Sequence, residues 1–355
     1  MTRRPEELWS ALAAVGLTSG EMPAAEDHTP WYVRVMLGFA GWLAASFLLG
    51  FIGVGFAFVM QSKTAAVSVG FMVIAAAYAV FRMAPRNDFS AMFGIAVSFA
   101  GQALVAFGIL GLFERGITGA APYLTIAAIE AALALIMPNF IHRVVSAYAA
   151  GFALMYACEV SGAHALAAGV LAASVAFAWL QEARFGKGVA IASPIGYGLT
   201  LALIQVEGMA SWRHSLAMLI GEKPFLGASP WIGEALVGIA FLVSVWLLLR
   251  RAAWEPGEPR TLLGLAAAAV VSAASFKAPG IAAGLMIVLL GFAGGNRVLA
   301  GLGIASLLFY MSSYYYLLDT TLLVKSGVLL ATGVVLLGAR ALILSFVLPR
   351  RGTDA

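Results

Sequence analysis

The chain has 355 residues, of which 62% are hydrophobic and only 11% are charged. Soluble domains carry about a quarter charged residues, so this composition excludes an ordinary soluble protein. The net charge of +4 comes from basic residues that stand singly or in pairs, which excludes a nucleic-acid-binding surface. Cys158 is the only cysteine, so an intrachain disulfide and a thiol-based metal site are excluded as well.

The first 30 residues are polar and predict a cytoplasmic arm with its connector, residues 1–30. Residues 5–16 have the pattern of a short amphipathic helix, because Pro5 begins the first turn and Gly16 can end the last one. Nothing in this stretch resembles a cleaved signal peptide. Trp31 and Arg34 then form an aromatic and basic anchor at the first membrane boundary.

Apolar runs of about 20 residues recur along the rest of the chain, and each is long enough to cross a hydrocarbon core of ~30 Å. We therefore predict an all-α polytopic bundle, with a single transmembrane domain at residues 31–349 and a cytoplasmic tail at residues 350–355. About twelve spans are expected. They lie near residues 35–60, 65–81, 89–113, 119–137, 140–158, 163–180, 188–206, 231–250, 261–276, 280–294, 298–316 and 325–347.

Basic residues in the short loops predict the orientation, because cytoplasmic loops of membrane proteins are enriched in lysine and arginine. With twelve spans and the N-terminus inside, most of these residues lie on the cytoplasmic side, among them Arg82, Arg143 and Arg250. Both termini are therefore expected in the cytoplasm. The longest loop, Glu207 to Pro230, is then expected at the exterior.

Glu130 is the strongest functional candidate, because an ionisable side chain at bilayer depth costs a few kcal/mol or more. Gln102 lies in the preceding span. Counted from Gly116 at the centre of the turn, 116 − 102 and 130 − 116 both give 14 residues, so the two side chains are expected at similar depth. Two interpretations stay open: a proton-carrying or substrate-binding carboxylate, and a protonated Glu130 that hydrogen-bonds to Gln102 as interhelical glue worth about 1 kcal/mol.

The other ionisable residues are weaker candidates. Glu234 follows a proline at the start of a span, where a carboxylate suits the positive end of the helix dipole. Glu159 and His164 flank an outer turn, where we expect both to be solvated. The four histidines lie in different segments without metal-ligand spacing, and no catalytic motif occurs. The sequence therefore predicts no enzyme, no cofactor and no metal site.

A tyrosine hairpin is predicted near the C-terminus. Tyr314, Tyr315 and Tyr316 end one apolar run, and their amphipathic rings favour the outer lipid–water boundary. Asp319 can cap the last helix and hold Lys325 close by. Three successive tyrosines cannot share one helix face, so at least one is expected to point toward lipid or toward a second protein.

Two stretches resemble a family of uncharacterised bacterial inner-membrane proteins, classed as a domain of unknown function. The first is PWYVR at 30–34 with GWLAA at 41–45 and FLLGF at 47–51, and the second is YYYLLDTTLLVKS at 314–326. The resemblance covers most of the chain. Members of that family tend to be encoded beside a small membrane-anchored protein named for its GDYxxLxY motif. The resemblance implies such a protein as a possible partner, and it implies no activity or site residue.

Two functional hypotheses follow for a multi-pass protein of the bacterial inner membrane, with the lipid bilayer as its surroundings. The first is a non-enzymatic membrane subunit or scaffold for a small membrane-anchored partner, with the tyrosine hairpin and the exterior loops as the contact surface. The alternative is a secondary transporter or channel for a small solute or proton, with Glu130 and Gln102 lining the path. The small number of polar residues at mid-membrane favours the first hypothesis.

Overall fold

The computed structural model of the protein describes residues 5–16, 18, 31–55, 61–83, 88–113, 119–182, 186–220, 230–252, 258–276, 278–317, 323 and 326. Every regular element in these residues is helical. The α-helices are α1 Pro5–Ala14, α2 Trp31–Gly55, α3 Lys63–Met83, α4 Asp88–Phe113, α5 Ala121–Ile136, α6 Phe140–Val160, α7 His164–Leu180, α8 Val189–Ile220, α9 Pro230–Arg251, α10 Pro259–Ser275, α11 Ile281–Ala293 and α12 Arg297–Leu317.

The predicted all-helical fold is confirmed within the described residues. Five helical segments are long and apolar enough to cross a membrane: Lys63–Met83, Phe89–Phe113, Phe140–Val160, Val189–Met209 and Trp231–Arg251. Shorter apolar helices lie between and after them. A helix occurs at each of the first eleven predicted spans, and the twelfth, near 325–347, lies outside the described residues.

The main correction concerns α8. The predicted loop from Glu207 to Pro230 is wrong over its first half, because α8 continues to Ile220. Polar residues at 207–214 indicated a loop, but this stretch contains no proline, so the backbone hydrogen bonds of the helix continue. The carboxyl of Glu207 lies inside the bundle, with a side chain that is only 2% exposed.

The apolar core consists of two clusters, and α6 lies between them. Residues of α3, α4 and α5 form the first cluster, around Phe81, Ile95 and Leu133. Residues of the helices from α6 to α12 form the second, around Leu171 and Leu203. Helix α6 packs extensively against α5 on one side and against α8 on the other, so it joins the two halves of the bundle.

Helices α6 and α8 run parallel in a defined register. Near the start of both helices, Nη1 of Arg143 donates to the carbonyl oxygen of Ala190 at 2.9 Å. Two turns further along, a Cβ added at Gly151 would lie 2.6 Å from the Cβ of Ala202. A residue of α6 therefore lies beside the residue of α8 that is about 50 positions later in the chain. This register relates the heights of the buried polar groups in the two halves.

Helices α3 and α4 approach each other through glycine. A Cβ at Gly70 would lie 2.8 Å from the carbonyl oxygen of Gly101, and a Cβ at Gly101 would lie 2.8 Å from that of Gly70. Small residues allow such close backbone contact between membrane helices, where van der Waals packing drives association.

We predict that Gly101→Leu destabilises the protein by about 1–3 kcal/mol or more, because the added side chain overpacks the α3–α4 interface. The melting temperature of the detergent-solubilised chain measures this loss. Gly301→Leu in α12 is the matched control, since a Cβ there meets no atom within 4 Å. Equal melting temperatures for the two variants would contradict the prediction.

Candidate functional site

Glu130 lies inside α5, and its side chain is only 6% exposed. Its carboxyl group faces the side chain of Ser146 on the neighbouring helix α6, where it is placed to accept the hydroxyl proton. The second carboxyl oxygen, Oε2, is buried and has no hydrogen-bond partner among the described residues. A carboxyl group that only held two helices together would stabilise them best with both oxygens paired. The unpaired oxygen is therefore not explained by a purely structural role.

Ser146 belongs to a polar cluster between α4 and α6. Oγ of Ser98 lies 2.7 Å from Nε2 of His142, and Nε2 of Gln102 lies 3.0 Å from the same ring nitrogen. Nε2 of Gln102 also donates to Oγ of Ser146 at 3.3 Å. The other ring nitrogen of His142, Nδ1, lies 3.4 Å from Oγ of Ser146. Together with Glu130, these four side chains form one connected set, called here the Glu130 network.

The donors of the Glu130 network determine the direction of its hydrogen bonds. The amide nitrogen of Gln102 can only donate, so Nε2 of His142 accepts and carries no proton. The proton of the neutral ring is then on Nδ1, which donates to Oγ of Ser146. The hydroxyl proton of Ser146 is left to donate to the carboxyl of Glu130. The result is a directed chain from His142 through Ser146 to Glu130.

The surroundings of His142 exclude solvent. Its side chain is 0% exposed, and the rings of Phe81 and Phe99 both lie with their centroids 5.9 Å from the imidazole. The position is set by the start of α6, where Oδ1 of Asn139 accepts from the backbone N–H of His142 at 3.0 Å. This N-cap bond holds the histidine in the first turn of α6, at the positive end of the helix dipole.

The structure brings Gln102 and Glu130 to one network, as partners of the same hydroxyl of Ser146. Sequence reasoning did not include Ser98, His142 or Ser146. One signal was present, since Ser98 and Gln102, and likewise His142 and Ser146, are four residues apart on apolar helices. Polar residues at this spacing share a helix face. The predicted direct or water-mediated contact between Gln102 and Glu130 stays a prediction.

The tyrosine hairpin is described only in part. Tyr315 lies half-buried in the last turn of α12, which ends at Leu317. The side chains of Tyr314 and Tyr316, and the whole of Asp319 and Lys325, lie outside the described residues. The roles assigned to these residues stay predictions.

Comparison with protein families matches the domain of unknown function DUF4401 over residues 30–345. The chain belongs to this family. The DUF4401 domain includes the helices from α2 to α12, and therefore the whole Glu130 network, whereas α1 lies outside it. The search of the curated proteins and that of the solved structures gave no match.

We predict that Gln102 and Glu130 are coupled through Ser146. Gln102→Leu should lower the melting temperature, whereas Glu130→Leu should change it little. The change in the double variant should differ from the sum of the two single changes, with a coupling of about 0.5–2 kcal/mol. In a Ser146→Ala background the two changes should add, because the shared hydroxyl is gone. Ser174→Ala serves as the control background, since that hydroxyl donates at 2.7 Å to Val170 O in its own helix. If the effects of the two single changes simply add when Ser146 is present, the coupling is contradicted.

Proposed function

We propose that the protein transfers protons across the membrane, as a secondary transporter or channel, and that the Glu130 network is a proton-binding site on its path. The observation that carries this proposal is the directed chain from His142 through Ser146 to a buried carboxyl with one unpaired oxygen. His142 and Glu130 are residue types that commonly exchange protons inside membrane proteins. We also propose that the protein lies in the bacterial inner membrane.

Typical interaction energies favour proton transfer over a purely structural role for Glu130. Polar contacts between membrane helices stabilise by about 0.6–2 kcal/mol. A buried polar atom without a partner costs about 1–3 kcal/mol. Because Glu130 makes one such contact and leaves one oxygen unpaired, its net contribution to stability is close to zero or unfavourable. An apolar residue at this position would hold α5 against α6 at least as well, so stability alone does not account for a carboxyl here.

The proton steps balance at named atoms. The hydroxyl of Ser98, 2.7 Å from Nε2 of His142, gives its proton to this nitrogen and takes up an incoming proton in exchange, and the ring becomes an imidazolium. Nδ1 then releases its proton to Oγ of Ser146, and the hydroxyl proton of Ser146 passes to the carboxylate of Glu130. Glu130 ends neutral, and His142 ends neutral with its proton on Nε2. Two further steps reset the site: Glu130 releases its proton from the unpaired Oε2 toward the opposite side of the membrane and becomes a carboxylate again, and the ring returns to its first tautomer, with the proton on Nδ1.

The membrane-subunit hypothesis rests on the family resemblance alone. It places a small GDYxxLxY-type protein against the tyrosine hairpin, most of which lies outside the described residues. It is compatible with proton transfer, because a transporter can also have a small accessory subunit. We keep it as a proposal about a partner, with no contact assigned.

We predict that the purified protein moves protons when reconstituted into liposomes. A pH-sensitive dye trapped inside should report proton entry driven by a potassium diffusion potential, at a rate above that of protein-free liposomes. Glu130→Gln should reduce the rate to the protein-free level, because an amide keeps the contact with Ser146 but cannot carry the proton. Its melting temperature should stay close to that of the wild type.

Glu159→Gln is the matched control for this experiment. Glu159 is a partly buried carboxyl that contacts His164 at 2.8 Å, away from the Glu130 network, so its loss should leave the rate unchanged. A wild-type rate equal to that of protein-free liposomes would refute proton transfer. A wild-type rate in Glu130→Gln would refute the role of the Glu130 network while leaving the activity in place.

The proposed topology has twelve spans with both termini in the cytoplasm, supported by the arginine-rich short loops. In a Cys158→Ala background, an impermeant thiol reagent added outside intact cells should label Ser229→Cys, between α8 and α9. The reagent should not label Ala355→Cys until the membrane is permeabilised. Labelling of residue 355 in intact cells would rule out this arrangement.

A further inference from the structure

A second pair of buried carboxyl groups lies in the other half of the bundle. Glu207 on α8 and Glu234 on α9 are 2% and 7% exposed, and their carboxyl groups lie next to each other. Both carboxyl groups also lie beside the backbone of Gly280 at the start of α11. On each carboxyl, Oε2 is buried without a hydrogen-bond partner among the described residues. We call these two residues the acid pair.

Tyr310 on α12 encloses the acid pair. Its side chain is 1% exposed, and its hydroxyl donates to the carbonyl oxygen of Ile204 at 2.9 Å, one turn before Glu207. Its ring packs against Gly280, where an added Cβ would come within 2.7 Å of ring atoms. Gly280 has φ +90°, a conformation that L side chains rarely adopt. A glycine is therefore required here both by its backbone and by the tyrosine ring.

The closeness of two buried carboxyl groups has a direct chemical consequence. Two ionised carboxylates side by side in a buried site would repel each other strongly, so one of the two groups carries a proton. The protonated group can donate to the ionised one, which can only accept. The backbone N–H of Gly280 is suited to the group that remains ionised, because Gly280 is the N-cap of α11. The contacts therefore describe two carboxyls that share one proton.

Among the side chains that the structure describes, the other ionisable groups near the acid pair do not neutralise it. Helix α11 carries none, and α12 contributes Tyr310, whose hydroxyl is engaged with Ile204. On α7, His164 lies beside the start of α9 but contacts Glu159 at 2.8 Å. Lys277 precedes Gly280 in the chain and lies outside the described residues. A calcium ion takes six to eight oxygen ligands, and the two free Oε2 atoms are too few for such an ion.

The acid pair and the Glu130 network lie at different heights. By the register of α6 and α8, Glu207 is level with a residue near 157 of α6, whereas His142 is in the first turn of that helix. About 15 residues at 1.5 Å per residue separate the two levels by about 20 Å along the bundle. Glu234, near the start of α9, is at the same end as Glu207.

A lateral groove of about 370 Å³ occupies part of this interval between α6 and α8. It is mostly apolar, and its lining residues are Val144, Val145, Tyr148, Leu201, Ile204 and Gln205. The groove supplies no continuous hydrogen-bonded chain from one site to the other. The acid pair is therefore a separate site and not an extension of the Glu130 network.

We infer that Glu207 and Glu234 form a second proton-binding site, which takes up and releases one shared proton at the end of the bundle opposite to the Glu130 network. Its use in transport rests on the proposed function. The presence of an exchangeable proton on the pair does not, and it can be measured on a protein that transports nothing.

Infrared spectroscopy of the purified protein in liposomes tests this inference, because a protonated carboxyl has a C=O stretching band that a carboxylate and an amide lack. The wild type should show a band that disappears reversibly when the bulk pH is raised. The band should be missing in the double variant Glu207→Gln/Glu234→Gln and present in both Glu130→Gln and Glu159→Gln. The single variant Glu234→Gln, which keeps one carboxyl beside one amide in the same space, should shift or weaken it.

Each outcome bears on the inference. A band that persists when the double variant is combined with Glu130→Gln, which removes the other buried carboxyl proposed to carry a proton, would show that the pair holds no proton. A band that does not respond to bulk pH in the folded wild type would show a trapped structural proton, and loss of the band on adding sodium ions at constant pH would show a cation site. Either result would overturn the inference. If the double variant does not fold, the response of the band in Glu234→Gln decides.

Flux measurements in liposomes then separate this inference from the proposed function. With proton entry in the wild type, loss of that entry in Glu207→Gln, at an unchanged melting temperature, would place the acid pair on the path. Normal proton entry in Glu207→Gln would show that the acid pair is not on the path, and it would leave the proposed proton transfer intact. Absence of entry in the wild type together with a pH-responsive band would refute the proposed function and leave the acid pair as a proton-binding site.

Discussion

The position of α6 between α5 and α8 is the packing constraint on which the rest of the structure depends. Helix α6 carries His142 and Ser146 toward α4 and α5, and the small residue Gly151 toward α8. Because α8 also carries Glu207, the same packing determines how far the Glu130 network lies from the acid pair. A shift of α6 by one turn along α8 would break the contact of Arg143 with Ala190 and move Ser146 away from Glu130.

Both polar sites share one energetic feature, a buried carboxyl with one oxygen unpaired. In a bundle of mostly apolar helices, each such oxygen opposes folding, and apolar packing elsewhere must compensate. The compensation is visible in small residues that bring backbones together, such as Gly70 with Gly101 and Gly151 with Ala202. Stability thus comes from close helix packing, which leaves the few buried polar groups available for chemistry.

Sequence reasoning predicted the helical architecture well, because long apolar runs separated by polar turns indicate membrane helices directly. It selected Glu130 and Gln102 for the same reason, since a polar residue inside an apolar run stands out. It failed where a polar residue lies near a predicted span end. Glu207 was assigned to a loop and Glu234 to a helix dipole, although the two pair with each other inside the bundle. Their pairing depends on which helices are neighbours in space, and a single sequence does not contain that information.

His142 is another residue whose buried environment a single sequence does not reveal. The sequence showed it only as one of four scattered histidines, and the packing of Phe81 and Phe99 around it makes it a fully buried group. Its distance of four residues from Ser146 could have indicated a shared face. The partner across that face, Ser98, comes from a helix that is not adjacent in the chain.

Helix N-termini are the element that the two sites have in common. His142 lies in the first turn of α6, and the backbone of Gly280, the N-cap of α11, lies beside both members of the acid pair. The positive end of a helix stabilises a nearby carboxylate and disfavours a nearby imidazolium. At the acid pair this offsets part of the desolvation of the charged form, and at His142 it favours passing a proton onward to Glu130. The helix dipole therefore acts in the same sense at both sites, because it favours the ionised carboxylate of the acid pair and the neutral form of His142.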